Sequence, residues 1–139
     1  MKKFEFRLQK VLDFRAAMEE MAKDAYLDAR NKRIEAEALI TAIEDRRREI
    51  LEGTGNSLAE RQSTDDLMIR LDDEKRSQMT IISVLRSEED SFNSEWIKAK
   101  QDREALEKLR EKAQVDYDLE ISRSEQKELD EWSVTRRLA

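Results

Sequence analysis

The sequence predicts an all-α chain: a long two-helix antiparallel coiled-coil hairpin whose second helix is longer than its first. Three observations lead there. Of the 139 residues, 43% are charged and only 6% aromatic, too little apolar bulk for a compact two-layer core. The apolar share of 38% is still too high for plain disorder once it is periodically arranged. There is no proline, and the only two glycines fall in one short stretch, so almost nothing else interrupts a helix.

Helix one is expected over about residues 5–51. Its stripe runs through Leu8, Val11, Arg15, Met18, Ala22, Ala25, Ala29, Lys32, Ala36, Leu39, Ile43, Arg46 and Ile50, alternating spacings of three and four. That is the period of a coiled-coil seam. Arg15, Lys32 and Arg46 break it, but their aliphatic stems can cover apolar surface. The alanines in the middle allow a partner helix to approach closely.

The turn is expected at about residues 52–64. Gly53 and Gly55 lie here, and glycine most easily takes the left-handed conformation that ends a helix. Ser57-Leu58-Ala59-Glu60 is a capping-box pattern. Ser63-Thr64-Asp65-Asp66 offers a second start, so residues 57–63 read as a helical turn within the connection. Helix two then runs over about residues 65–132. Its stripe is Leu71, Ile82, Leu85, Phe92, Trp96, Ala99, Leu106, Ala113, Tyr117 and Ile121, with polar gaps at Lys75, Gln78, Glu89, Arg103 and Arg110. The whole of residues 1–139 is one coiled-coil domain in this reading.

Helix rise sets the consequence. At ~1.5 Å per residue the first helix is roughly 70 Å long and the second roughly 100 Å. A fold-back at residues 53–56 places Phe4 opposite residues 108–114. The last 25 residues or so then have no partner in the chain, and a lone helix of that length is marginal in water.

Composition also excludes. The chain has no His and no Cys, which removes most transition-metal sites, the usual nucleophile–base pairs and disulfides. No Gly-rich phosphate loop is present and no cofactor is implied. Met1-Lys2-Lys3 leads into Phe4-Glu5-Phe6-Arg7 rather than an apolar run, so neither a signal peptide nor a membrane span is expected. The formal charge of −6 makes nucleic acid a poor partner. That charge is uneven: residues 1–56 carry 12 basic and 12 acidic side chains, residues 57–139 carry 15 and 21.

Four stretches stand out against an ordinary solvated helix. "FEFRLQKVLDFR" spreads apolar residues around more than one face, either stapling the hairpin end against Leu106, Leu109 and Ala113 or serving a partner. "IISVL" (Ile81, Ile82, Val84, Leu85) is too wide for one seam, and is either a thicker seam or a binding surface. "DRRRE" around Arg46–Arg48 is short for a phosphate site and reads as a solvated face. "EQKELDEW" lies in the unpartnered tail, with Lys127 and Glu131 at i,i+4 and Leu129 near Trp132.

The two ends together resemble one family, the flagellar export protein FliJ. The matching residues are Phe6-Arg7-Leu8-Gln9 with Val11-Leu12-Asp13 and Arg15 at the N-terminus. At the C-terminus they are Glu125-Gln126-Lys127 with Asp130-Glu131 and an aromatic at Trp132. The central Trp96, the length and the two-helix layout agree, so the resemblance covers the whole chain. It implies a non-enzymatic component of type III flagellar export. Such a protein binds and stimulates the hexameric export ATPase like a rotary central stalk, contacts the cytoplasmic domain of the export gate and escorts export chaperones. It would be cytoplasmic, held at the inner membrane through the export apparatus and without membrane insertion. Partner-binding residues carried over by position are Phe6, Arg7, Leu8, Val11, Gln126, Lys127, Asp130, Glu131 and Trp132. Gate binding is ascribed to the coiled coil nearer the turn, without assignment to single residues. Two readings stand beside this one: the equivalent stalk of a virulence injectisome, and a structural coiled-coil scaffold.

Overall fold

The computed structural model describes residues 3–138. They form two helices, α1 over Gln9–Glu52 and α2 over Leu58–Leu138, with no strand among the described residues. The fold is the antiparallel hairpin expected, with α2 the longer helix. Its contacts separate into two units: a turn unit, Met21–Trp96, and a terminal unit that pairs residues up to Glu20 with residues from Ile97 onward.

In the turn unit, α1 ends where its backbone stops finding partners. The Gly53 N–H still donates to the Glu49 carbonyl at 3.0 Å, and Thr54 Oγ1 bonds the Ile50 carbonyl at 2.8 Å. Neither Gly53 nor Gly55 adopts the left-handed conformation suggested by the sequence. A Cβ on Gly55 would meet only the carboxylate end of the exposed Glu60 side chain, which can swing aside. The second helix starts at Leu58 rather than at about residue 65. Ser57 caps it: Ser57 Oγ accepts from the Glu60 N–H at 3.1 Å, and the Ser57 carbonyl accepts from the Arg61 N–H at 3.0 Å. The alternative start around Ser63 is unused, since Thr64 Oγ1 donates back to the Glu60 carbonyl at 3.0 Å inside the helix.

The seam differs from the sequence stripe in an informative way. One half of the stripe holds: Ala29 and Ala36 are buried, and Ala22, Ile43 and Ile50 are half-buried. The other half is displaced by one residue. Val11, Met18 and Leu39 are 42%, 41% and 55% exposed, while Leu12, Glu19, Tyr26, Arg33, Ile40 and Arg47 take the inward positions. Met18 stands in the stripe ahead of Glu19 as the apolar neighbour, whereas Lys32 and Arg46 in the stripe are as charged as the inward Arg33 and Arg47 beside them. Each inward charge is accommodated because α2 supplies the opposite charge. Arg33 forks onto Glu89 and also reaches Glu37 at 3.0 Å. Arg47 meets Asp72 at 3.4 Å. In the terminal unit, Glu19 receives the Arg103 guanidinium.

On α2 of the turn unit, Leu71 and Ile82 are buried and Leu85, Phe92 and Trp96 half-buried, as the second stripe expected. Trp96 stacks on Tyr26 with ring centroids 5.4 Å apart, although its indole N–H finds no acceptor. The polar gaps are functional parts of the seam. Gln78 donates to the Ala36 carbonyl at 3.1 Å, and Lys75 pairs with Glu44 at 3.1 Å.

In the terminal unit α1 begins at Gln9, not near residue 5. The Gln9 N–H bonds the Phe6 carbonyl at 3.0 Å, and the described residues before it are not helical. Phe4 packs against Tyr117, 5.5 Å between centroids, with the Arg110 guanidinium 5.7 Å from the Phe4 ring. Phe4 therefore reaches α2 within the expected residues 108–114, at Arg110, and also beyond them, at Tyr117. The cause of the further reach is at the reversal, where Thr54 Oγ1 lies 3.3 Å from Thr64 Oγ1. Residues 55–63 carry the turn, including the first turn of α2, and later partners shift toward the C-terminus.

The corrected seam makes a stability prediction. Leu12→Ala should cost about 2 kcal/mol or more, because Leu12 is 7% exposed; Val11→Ala should cost under about 0.5 kcal/mol. Urea denaturation of the two variants separates the observed seam from the one drawn from the sequence alone.

The charge network makes another. A hydrogen bond from Arg86, with a further one from Arg33, holds the Glu37 carboxyl below its ordinary value of 4.5, partial burial working against both. A folded-state carboxyl lower than the unfolded one binds fewer protons, so its contribution is complete above pH 4.5 and is lost as pH falls below it. Arg86→Ala should move the Glu37 titration midpoint, followed by NMR, back up toward the ordinary value.

Candidate partner-binding surface

The sequence-derived site residues all lie in the terminal unit, at two places. Phe6 and Leu8 are half-buried in the segment that leads into α1. Arg7 is exposed, and Val11 stands on the outer flank beside buried Leu12. At the other place, Gln126, Lys127, Asp130, Glu131 and Trp132 are all exposed on α2. From Ser122 to Leu138 every described residue is exposed. Intrachain cover therefore ends at Ile121, and the unpartnered tail is shorter than the 25 residues or so expected.

The structure does not bring these two places together. Tyr117 is against Phe4, and Gln126 stands nine residues on, about 14 Å further along the helix axis. Within the tail, local chemistry keeps side chains ordered without burying them. Gln126 Nε2 donates to Asp130 Oδ1 at 3.2 Å, and Thr135 Oγ1 to the Glu131 carbonyl at 2.9 Å. The Arg136 guanidinium sits 5.0 Å from the Trp132 ring centroid. Lys127 does not pair with Glu131 as the spacing suggested. Leu129 and Trp132 remain 60% and 59% exposed, large apolar groups that nothing beyond the tail covers.

Of the staple residues expected beneath the N-terminal segment, Leu106 and Ala113 are half-buried, but Leu109 is 49% exposed. Tyr117, a seam position in the sequence reading, takes the place against Phe4.

The turn unit holds a surface the sequence only half disclosed. In "IISVL", Ile82 is buried and Leu85 half-buried, while Ile81 and Val84 are 49% and 55% exposed. Nearby a groove of about 600 Å³ opens between the helices, with Leu39, Ala42, Ile43 and Leu71 as its apolar lining and Arg46 and Glu74 among its charged edges. Neither Arg46 nor Glu74 forms an ion pair. The sequence reading placed Leu39 and Arg46 in the seam; as exposed groove residues they were missed. The signal was available, since a stripe already satisfied by Ile40 and Ile43 leaves Leu39 over.

No group of three or more His, Cys, Asp or Glu among the described residues is placed to hold a metal ion. No helix among them is long and apolar enough to cross a membrane. The surface therefore offers apolar side chains, fixed charges and helix faces, the chemistry of helix–helix recognition.

Exposure of the whole segment after Ile121 predicts that it can be removed cheaply. A chain ending at Ile121 should keep its unfolding free energy within the about 0.5 kcal/mol usual for changes at exposed positions. Denaturant titration checks this; a large loss would mean that the tail carries intrachain packing.

The sequence model of one protein family, described as the flagellar FliJ protein, matches residues 4–138. No curated protein and no solved structure gives a significant match.

Proposed function

The chain belongs to the flagellar FliJ family and so is a component of flagellar protein export, and from that membership we propose that it works there as a non-catalytic stalk for the hexameric export ATPase. The single observation that supports this reading is the tail. This member of a family of export components carries a helix end that buries nothing in its own chain yet exposes Leu129 and Trp132 among carboxylates. In water such an extension is marginal, and its apolar groups gain only when another protein covers them.

Gln126, Lys127, Asp130, Glu131 and Trp132 would be the main contacts on the ATPase ring. Phe6, Arg7, Leu8 and Val11 would form a second contact nearer the paired end. The chain itself would hydrolyse nothing; its effect would be to favour the assembled, active ring. In this reading it stays peripheral, at the inner membrane through the export apparatus.

Contact with the cytoplasmic domain of the export gate is assigned to the turn unit. The groove lined by Leu39, Ala42 and Leu71, with Ile81 and Val84 exposed nearby, favours this, because it gathers uncovered apolar side chains of that unit in one concave place. Escort of export chaperones belongs to the same proposal, without assignment to residues.

Paired variants test the two surfaces. Trp132→Ala should weaken ATPase binding about tenfold or more, the usual scale for an aromatic anchor, and lower stimulation of ATP turnover. Leu39→Asp should abolish gate-domain binding and leave ATPase stimulation unchanged. Normal ATPase binding by Trp132→Ala and by the chain ending at Ile121 would remove the tail from the mechanism.

A further inference from the structure

The terminal unit contains two unsatisfied surfaces of opposite character. On α1, Val11, Phe14 and Met18 follow one another at spacings of three and four and are 42%, 58% and 41% exposed. Arg15 lies between them on the helix and reaches Asp102 on α2 at 3.4 Å. Leu109, 49% exposed, stands one heptad on from Asp102 on the same flank. Arg7, Lys10, Lys108 and Lys112 surround this apolar face, all exposed and none in an ion pair. The face is basic in a chain whose formal charge is −6.

The end of α2, from Val115 into the tail, is its complement. Val115, Leu119, Ser122, Gln126 and Leu129 form an uncharged stripe, again at helical three–four spacing. Asp116, Asp118, Glu125 and Asp130 border it, with Arg123 the one basic residue along the same edges. Val115, Leu119 and Leu129 are 56%, 50% and 60% exposed. The tail cannot reach the basic face of its own chain. α2 is continuous from Leu58 to Leu138, and it contains no glycine or proline at which to fold back.

We propose that, in the free protein, the acidic tail of one copy packs on the basic-rimmed apolar face of a second copy, and reciprocally. Each copy brings one face and one tail, so a twofold arrangement satisfies both and closes. Apolar contact would come from Phe14 against Leu119 or Leu129, with lysines meeting carboxylates at the edges. Insofar as the tail is the ATPase-binding element, a point that rests on the reading above, this dimer is also self-masking: the ring must displace the second copy.

The experiment uses the full chain without any ATPase. Sedimentation velocity over a concentration series should show a monomer–dimer equilibrium that weakens as salt rises. Lys108→Glu with Lys112→Glu should weaken the dimer about tenfold or more, and adding Asp118→Lys with Glu125→Lys should restore it. The native chain has no Cys, so a chain carrying Phe14→Cys and Leu129→Cys reports the contact directly. Oxidation should link two copies through Cys introduced at these two positions, mapped by mass spectrometry. A monomer at every concentration in low salt overturns the proposal. So does a dimer that neither crosslinks between these positions nor responds to the charge reversals. Because no ATPase is present, either failure leaves the ATPase reading standing. Failure of Trp132→Ala to affect ATPase binding would in turn leave the dimer standing and remove only the masking.

Discussion

A two-helix seam with five buried apolar side chains among the described residues is thin, and what fixes it is the pairing of charge across it. Arg33 and Glu89 have side chains only 22% and 12% exposed, and Arg103 and Glu19 only 21% and 17%. Sliding either helix by one turn would leave these groups half-desolvated and facing the wrong neighbour, a strongly unfavourable state. Apolar contacts discriminate poorly between such registers, because one alanine or leucine replaces another. The polarity of the pairs is what discriminates: α1 offers Glu19 then Arg33 and Arg47, and α2 meets them with Arg103, Glu89 and Asp72. Hydrogen bonds donated to Glu89 and Glu37 hold the Arg33 guanidinium still more firmly protonated than usual, and those donated to Glu19 and then Glu107 do the same for Arg103.

The same charges explain how far the fold was legible. Helix content, the reversal at Gly53–Ser57 and the stripe on α2 follow from composition, a capping serine and three–four spacing, all local signals. The displaced half of the α1 stripe does not. At each of those positions the neighbouring residue was the more apolar or no worse: Met18 beside Glu19, Val11 beside Leu12, Leu39 beside Ile40. Only the sequence of the opposing helix, aligned in register, reveals that Glu19, Arg33 and Arg47 have partners. Register in turn depends on residues 55–63, where the first turn of α2 takes part in the reversal. A short loop drawn at the glycines alone misplaces every partner by a turn or more.

The candidate surfaces were legible to different degrees for the same reason. An unpaired tail follows from unequal helix lengths, and the exposure of Leu129 and Trp132 with it. The groove beside Leu39 was hidden because Leu39 had been spent on the seam. Once Ile40 and Ile43 take the inward places, Leu39, Ile81 and Val84 are surplus to a two-helix structure and face outward. The Lys127–Glu131 pair was suggested by spacing but is replaced by Gln126–Asp130, at 3.2 Å. On a fully exposed helix such i,i+4 contacts differ by tenths of a kcal/mol, and spacing alone does not choose among them.

Each surplus has the same physical consequence for export. Where the seam is charged, the hairpin is specified from within and has no need of a partner. Where apolar residues lie outside that seam, they stabilise nothing in the chain and gain free energy only on association. On the reading proposed above, the chain must keep its own fold while engaging and leaving other proteins. Dividing the work in this way meets that demand: charge sets the fold, and exposed Leu129, Trp132, Leu39 and Val84 are free to be covered and uncovered without disturbing it. The tail adds one further property. With no tertiary contacts after Ile121, its helix is stabilised by propensity and local bonds alone, and docking would order it as it binds. That ordering cost lowers affinity for a given buried area, which favours release as much as capture.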